Sequence, residues 1–127
     1  MKFLRTILIF WLPLVAWFLV IYNFSATSVK DLPQINIPYI DKFFHAVVYF
    51  VFGVLLIRAF DHSDFNVSLA KLAVLAIIIS ICYGISDELH QLFVQGRSCE
   101  VFDFLADCAG SFTGIFLYMA DTKERRG

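Results

Sequence analysis

Long apolar runs separated by short polar segments dominate this chain, and they predict membrane-spanning helices. The first run covers residues 6–24 and follows Lys2 and Arg5. It has about the 20 residues that a helix needs to cross roughly 30 Å of hydrocarbon. Its length favours a retained helix over the shorter apolar core of a cleaved signal peptide.

Three later apolar runs are too short to span a membrane unless the polar residues at their ends are included. The first lies between Lys42 and Arg58, the second between Lys71 and Asp87, and the third runs from Asp107 to Ala120. A helix rises about 1.5 Å per residue, so each helix must draw its flanking polar residues to membrane depth. The chain is therefore predicted to be all-α, a single-domain integral membrane four-helix bundle over residues 1–127, with helices at 6–24, 41–60, 71–91 and 101–120.

The distribution of basic residues predicts how this bundle is oriented. One group lies near the termini and the second loop: Lys2, Arg5, Arg58, Lys71, Lys123, Arg125 and Arg126. The smaller group lies on the other side of the membrane: Lys30, Lys42 and Arg97. Because cytoplasmic segments are enriched in Lys and Arg, we predict an up-down-up-down bundle in the inner (cytoplasmic) membrane with both termini cytoplasmic.

Composition supports a membrane protein and argues against nucleic-acid binding. Hydrophobic residues make up 60% of the chain and aromatic residues 17%, against roughly 45–50% apolar residues in soluble domains. The net charge of −1 provides no basic surface for nucleic acid. Membrane lipids are the predicted partners, and the sequence leaves the oligomeric state open.

Chemically versatile side chains gather at the predicted outer ends of the last three helices. At about 100° per residue, they fall on narrow faces that can turn towards one another. The candidate catalytic residues are Asp41, His45, Asp87, Glu88, Asp103 and Asp107. The candidate substrate-binding residues are Lys42, Tyr49, His90, Gln91, Arg97 and Ser98.

Glycines on the same faces predict close helix packing beneath this polar end. Gly84 lies below Asp87, and Gly110 and Gly114 lie below Asp107. Small residues at this spacing allow membrane helices to approach closely. In the loop between the last two helices, Gly96 is predicted to form a tight turn and Ser98 to cap the following helix.

The acidic residues of this end outnumber its basic residues, so ion pairing cannot neutralise all of them. A charge inside the membrane costs roughly 2.5–3.5 kcal/mol on insertion scales. A bound cation, a proton shared between acids, or a cationic or hydrogen-bonding ligand would each relieve the excess. The cofactor is left open. If a metal binds, Mg²⁺ or Mn²⁺ suits the oxygen ligands of Asp87, Asp103 and Asp107.

The order of these residues resembles the VanZ-like family. The resemblance rests on Phe24-Ser25, Asp41-Lys42-x-x-His45-x-x-x-Tyr49, Ser86-Asp87-Glu88-Leu89-His90-Gln91-x-Phe93, Gly96-Arg97-Ser98, Asp103, Asp107, and Gly110 to Gly114. It implies a bacterial membrane protein from a family whose naming member is linked to teicoplanin resistance. Gln95 stands where members commonly have proline, so the outer turn is expected to be looser.

Three functions remain open from the sequence. The leading hypothesis is a pocket that binds or acts on an envelope lipid or another anionic head group, with an acid as general base or metal ligand and His45 as proton shuttle. A non-enzymatic protein that binds a lipid or drug is the second. A small proton-coupled carrier is less attractive, because four short helices show no inverted repeat.

We expect any reaction of single cysteines at Asp41, Asp87 and Asp107 with a water-soluble maleimide to occur from one and the same side of the membrane. The physical reason is that all three acids are predicted to complete helices at one end. Labelling of right-side-out and inverted vesicles measures this. Reaction from opposite sides would mean that no shared pocket exists.

Overall fold

The computed structural model describes residues 1–31 and 37–127, and these residues form four helices long and apolar enough to cross a membrane. Helix α1 covers Lys2–Ala26, α2 Ile40–Asp61, α3 Leu69–Gln91 and α4 Val101–Arg126. A short 3₁₀ turn, Val29–Asp31, follows α1. The predicted all-α fold is confirmed, and the described part of the chain contains no strand. Residues 32–36 of the first loop lie outside the described residues.

The polar residues do complete the helices, as the short apolar runs predicted. Helix α2 has 22 residues, α3 has 23 and α4 has 26. At about 1.5 Å per residue these lengths correspond to roughly 33–39 Å, enough for a bilayer core of about 30 Å. Helix α1 begins several residues before its predicted start and contains a wider π-helical stretch at Ile7–Trp11.

Close packing of α2 against α4 forms the centre of the bundle. Gly110 lies directly against the carbonyl oxygen of Ala46, and Gly114 against that of Phe50. Gly53 of α2 faces the backbone of Ser111 in the same way. A Cβ atom at any of these positions would collide with backbone atoms of the facing helix. The close approach of α2 and α4 therefore requires glycine there. The closest backbone contacts between α2 and α4 therefore lie at Gly53, Gly110 and Gly114.

Helix α1 packs against α2 and α3 along a less buried surface. The Trp17 indole donates a hydrogen bond to the carbonyl of Val48 (3.0 Å), and the Tyr83 hydroxyl donates to the carbonyl of Phe18 (3.2 Å). Near the start of α1, the Trp11 indole donates to the Ser63 hydroxyl (3.0 Å). The outward side chains of α1 are large, apolar and exposed, which suits contact with lipid acyl chains.

The end of the bundle that holds the chain termini has its own buried acid. The Asp61 carboxylate accepts hydrogen bonds from the Tyr118 hydroxyl (2.9 Å) and the Arg126 guanidinium (2.8 Å). Asp61 is the last residue of α2, where a carboxylate is disfavoured by the negative end of the helix dipole. The Arg126 charge offsets this cost and holds the end of α4 against α2.

We expect Gly110→Ala to destabilise the protein by about 1–3 kcal/mol, because the new Cβ drives into the Ala46 carbonyl and forces α2 and α4 apart. Alanine's higher helix propensity offsets up to about 1 kcal/mol of this. Unfolding in mixed detergent micelles, followed by circular dichroism, measures the change.

Gly84→Ala is the matched control. A Cβ there meets the Phe104 side chain at 3.4 Å and the Asp107 side chain at 3.6 Å, which are ordinary contacts. Equal stability of the two variants would contradict the packing argument.

Candidate functional site

Side chains from three helix ends meet at the end of the bundle opposite the chain termini. This polar end contains the start of α2, the end of α3 and the start of α4. His45, Asp87 and Asp107 lie one to two turns inside their helices, about 6–9 Å below the helix ends at 1.5 Å per residue. The acids that the sequence places at one end therefore do lie together, and they form two adjacent groups.

The first group, which we call the rim group, contains Asp41, Lys42, Glu100 and Asp103. The Lys42 ammonium lies 2.6 Å from Asp41 Oδ2, 2.6 Å from Glu100 Oε2 and 2.9 Å from Asp103 Oδ1. The Asp41 and Glu100 side chains are about half exposed, whereas Asp103 is buried. Lys42 thus occupies the position between three carboxylates that a bound cation would otherwise take.

Glu100 lies just outside α4 and is the most accessible acid of the rim group after Asp41. Hydrogen bonds from the Lys42 ammonium and the Ser98 hydroxyl, together with the Lys42 charge, hold the pKa of Glu100 below its usual range. This carboxylate is therefore ionised at neutral pH. Its charge faces the water side of the site.

The second group, which we call the inner cluster, contains His45, Asp87, Glu88 and Asp107. Each of these residues offers one nitrogen or oxygen ligand atom, and the four atoms lie within 4.8 Å of one another. His45 Nδ1 is 2.9 Å from Asp107 Oδ1. The three carboxylates are buried, with Asp107 only 1% exposed. Three acids and one imidazole therefore share a small volume shielded from water.

A single hydrogen bond links the two groups. The backbone N–H of Glu100 donates to Glu88 Oε2 at 2.9 Å. Glu100 is the residue immediately before α4, and no side chain caps that helix. The Ser98 hydroxyl instead donates to Glu100 Oε1 at 3.0 Å, so the predicted capping by Ser98 is wrong. The end of α3 is thereby fastened to the start of α4.

Arg97 contacts the end of α1. Its guanidinium donates hydrogen bonds to the carbonyl oxygens of Phe24 (2.9 Å) and Thr27 (3.3 Å). These bonds satisfy carbonyls at the C-terminal end of a helix, where a positive charge is favoured by the helix dipole. Gly96 has a φ of 81°, which confirms the predicted tight turn. Arg97 as a ligand contact stays a prediction.

The remaining predicted residues line the site at different depths. The Tyr49 hydroxyl is buried and faces the Asp87 carboxylate without a hydrogen bond of good geometry. Gln91 is also buried on the inward face of α3. His90 lies on the side of α3 that faces α1, where its ring is 5.1 Å from the ring of Tyr22. It therefore borders the inner cluster without joining it.

Sequence reasoning missed two residues of the site. Glu100 contacts Lys42 and Glu88, and its position three residues before Asp103 on a helix start was an available signal. Ser25 of α1 is 3% exposed and lies beside Asp87. Its only signal was membership of the Phe24-Ser25 pair. Asp103, predicted as a metal ligand beside Asp87 and Asp107, lies in the rim group next to Lys42 instead.

A groove of about 360 Å³ runs along α1, away from the inner cluster. One face of that helix lines it, and the lining is mostly apolar: Ala16, Leu19, Val20, Asn23, Phe24 and Thr27. A surface of this kind fits an acyl chain better than a polar head group. None of the described residues that line the groove has an ionisable side chain, whereas the polar end has several.

The geometry permits two kinds of chemistry in the inner cluster. The imidazole and the Asp107 carboxylate are within hydrogen-bond reach, as an acid–base pair requires. The three buried carboxylates also supply oxygen ligands of the type that divalent cations prefer. Residues 1–31 and 37–127 contain two groups of potential metal ligands. The inner cluster is the one without a lysine at its centre.

Four apolar helices with a buried polar end define a multi-pass membrane protein. A model of the VanZ/LLP1 family matches residues 4–121, nearly the whole chain, and the chain therefore belongs to this family. No curated protein matches the chain. No solved structure matches it either.

We expect Lys42→Met to lower the free energy of unfolding by about 1–3 kcal/mol. The loss comes mainly from Asp103, a buried carboxylate left without its cation, because half-exposed pairs such as Lys42 with Asp41 contribute little. Lys30→Met, at an exposed position on the same side of the bundle, is the control. The double variant Lys42→Met/Asp103→Asn should recover most of the loss in denaturant titration. No recovery would show that Lys42 acts through another group.

Proposed function

We propose that this VanZ/LLP1-family protein binds the head group of a cell-envelope lipid at its polar end, and that this binding lowers sensitivity to glycopeptides such as teicoplanin. The observation that carries the proposal is the inner cluster: ionisable side chains buried at the end of apolar helices. Such residues are costly in a membrane and are kept where they face a ligand or one another. The proposal requires that the polar end face outward, as the basic residues predict.

The depth of the cluster supports a lipid as the ligand. His45, Asp87 and Asp107 lie about 6–9 Å below the helix ends, close to where head groups meet acyl chains. The half-exposed rim group lies above them and is the first part of the site that a head group reaches. Acyl chains would lie against the exposed apolar side chains of the helices.

The charge of the site limits which head groups fit. Six carboxylates gather here: Asp41, Asp87, Glu88, Glu100, Asp103 and Asp107. Lys42 is shared among three of them, and Arg97 is bonded to the end of α1. A phosphate would be repelled by this excess unless a cation entered with it. The favoured ligand is thus a lipid whose anionic head group is bridged by a cation.

The family supports the link to glycopeptides. The VanZ-like pattern includes the residues of both groups except Glu100, and the naming member of that family is linked to teicoplanin resistance. A protein that binds lipid head groups at the membrane surface would alter the access of a drug to that surface.

We expect Asp107→Asn to fold at least as well as the parent protein while losing lipid binding. The amide oxygen still accepts a hydrogen bond from His45 Nδ1, and removal of one buried charge lowers the cost of desolvation. The measurement is mass spectrometry of lipids that co-purify with the protein in polymer nanodiscs, compared with the bulk membrane. An enriched lipid class should fall at least tenfold in the variant.

Asp121→Asn is the matched control, because Asp121 is an exposed acid of the same helix that pairs with Arg125 (2.9 Å) at the other end. It should retain the enriched lipid. A parent protein that carries only the bulk lipid composition would contradict the proposal. Misfolding of Asp107→Asn with unchanged specific lipid content would show that this acid is structural.

The His45–Asp107 pair favours an enzymatic form of the same proposal. An imidazole 2.9 Å from a buried carboxylate is arranged as a general base held by an orienting acid. Turnover of an extracted lipid that stops with Asp107→Asn or with a chelator would support an enzyme. Stoichiometric protection of cells that is unchanged by His45→Ala would support binding alone.

A further inference from the structure

Two carboxylate oxygens in the inner cluster are buried without any hydrogen-bond partner. They are Glu88 Oε1 and Asp107 Oδ2, in side chains that are 3% and 1% exposed. In each residue the other oxygen is held in place: Glu88 Oε2 by the Glu100 N–H, and Asp107 Oδ1 by His45 Nδ1, both at 2.9 Å. A buried acceptor without a partner costs about 1–3 kcal/mol of stability. A ligand that bonded to these oxygens would remove that cost.

Two neutral hydroxyl groups lie beside the Asp87 carboxylate of the cluster. The Tyr49 hydroxyl belongs to a residue 1% exposed and the Ser25 hydroxyl to one 3% exposed. Both face Asp87 as hydrogen-bond donors, without a bond of good geometry to any acceptor. Donors around a carboxylate are the usual outer neighbours of a metal ligand, because they orient its oxygens and offset its charge.

The spacing of the cluster fits one small divalent ion. An octahedral ion with bonds of about 2.1 Å places neighbouring ligand atoms about 3 Å apart and opposite ones about 4.2 Å apart. The four ligand atoms of the cluster lie within 4.8 Å of one another, close to the span of one octahedral ion. Side-chain rotation that replaces the His45–Asp107 hydrogen bond by bonds to the ion would bring the four onto it.

We propose that His45, Asp87, Glu88 and Asp107 bind one divalent cation of the Mn²⁺ type. Three carboxylates favour an oxygen-preferring ion, and the imidazole adds affinity for a transition metal, so that Mn²⁺ satisfies both kinds of ligand. The ion reduces the charge of the three ionised carboxylates from −3 to −1. Four protein ligands leave two octahedral positions open.

The role of the ion rests on the proposed function, whereas its binding does not. A phosphate oxygen of a lipid head group would bind at an open position on the ion. The positive charge of the ion would then offset the repulsion between the phosphate and the carboxylates of the site. The rim group does not compete for the ion, because Lys42 lies among its three carboxylates. The four-residue set also differs from the sequence prediction, since His45 and Glu88 replace Asp103.

The test uses the full chain purified in detergent, treated with a chelator, freed of metal and titrated with Mn²⁺ alone at pH 7. Electron paramagnetic resonance measures the free aqueous ion. We expect one ion per chain, with affinity reduced at least tenfold by Asp107→Asn and by His45→Gln. The bound ion should show an echo modulation from an imidazole nitrogen that His45→Gln removes.

Asp103→Asn is the matched control, because it removes a buried carboxylate of the same helix from the rim group. It should retain Mn²⁺ affinity within about threefold. Circular dichroism and gel filtration establish that each variant is folded. A folded parent that binds no stoichiometric Mn²⁺, or equal affinity in the Asp107→Asn and Asp103→Asn variants, would overturn the proposal.

No lipid enters this titration, so its outcome is separate from the lipid experiment. Mn²⁺ binding without lipid enrichment would retain the metal site and reject the proposed function. Lipid enrichment in a parent that binds no Mn²⁺ would retain the proposed function and reject the metal site.

Discussion

The cost of placing carboxylates at membrane depth is the constraint on which this structure depends. Three helices are too short to cross a membrane without their acidic ends, so Asp87, Asp103 and Asp107 must enter the apolar region. In the bundle these acids face one another and not the lipid, which reduces the cost of their desolvation. Lys42, His45 and the Glu100 N–H then supply partners for some of their oxygens. The oxygens that remain unpartnered are the reason to expect a ligand.

The two groups at the polar end differ in how their charge is compensated. In the rim group a lysine lies between three carboxylates, two of which also reach water, so the group is stable as it stands. The inner cluster contains three buried carboxylates, and the His45 imidazole is its one side chain that can carry a positive charge. The rim group is therefore compensated without a ligand, and the inner cluster is the group at which we propose that a ligand binds. The Glu88–Glu100 hydrogen bond makes each group depend on the position of the other.

Helix packing sets the geometry of the inner cluster. His45 immediately precedes Ala46, whose carbonyl lies against Gly110, and Gly110 is one helical turn after Asp107. The contact that fixes the separation of α2 and α4 therefore also fixes the distance between His45 and Asp107. A larger residue at Gly110 would move both members of the pair apart. This coupling explains why glycines and ionisable residues share the same helix faces.

The helices, the end at which the acids gather and the inward faces of α3 and α4 could be predicted from the sequence, because apolar length and helical period are local properties. The same period predicts that Asp41, His45 and Tyr49 form one column of α2, which runs from an exposed residue to a buried one. The pairing of Asp103 with Lys42, and the grouping of Glu88 and His45 with Asp87 and Asp107, could not be predicted in this way. That arrangement depends on the rotation and separation of three helices. Both are set by contacts between residues far apart in the chain, such as Gly110 with Ala46 and Glu100 with Glu88.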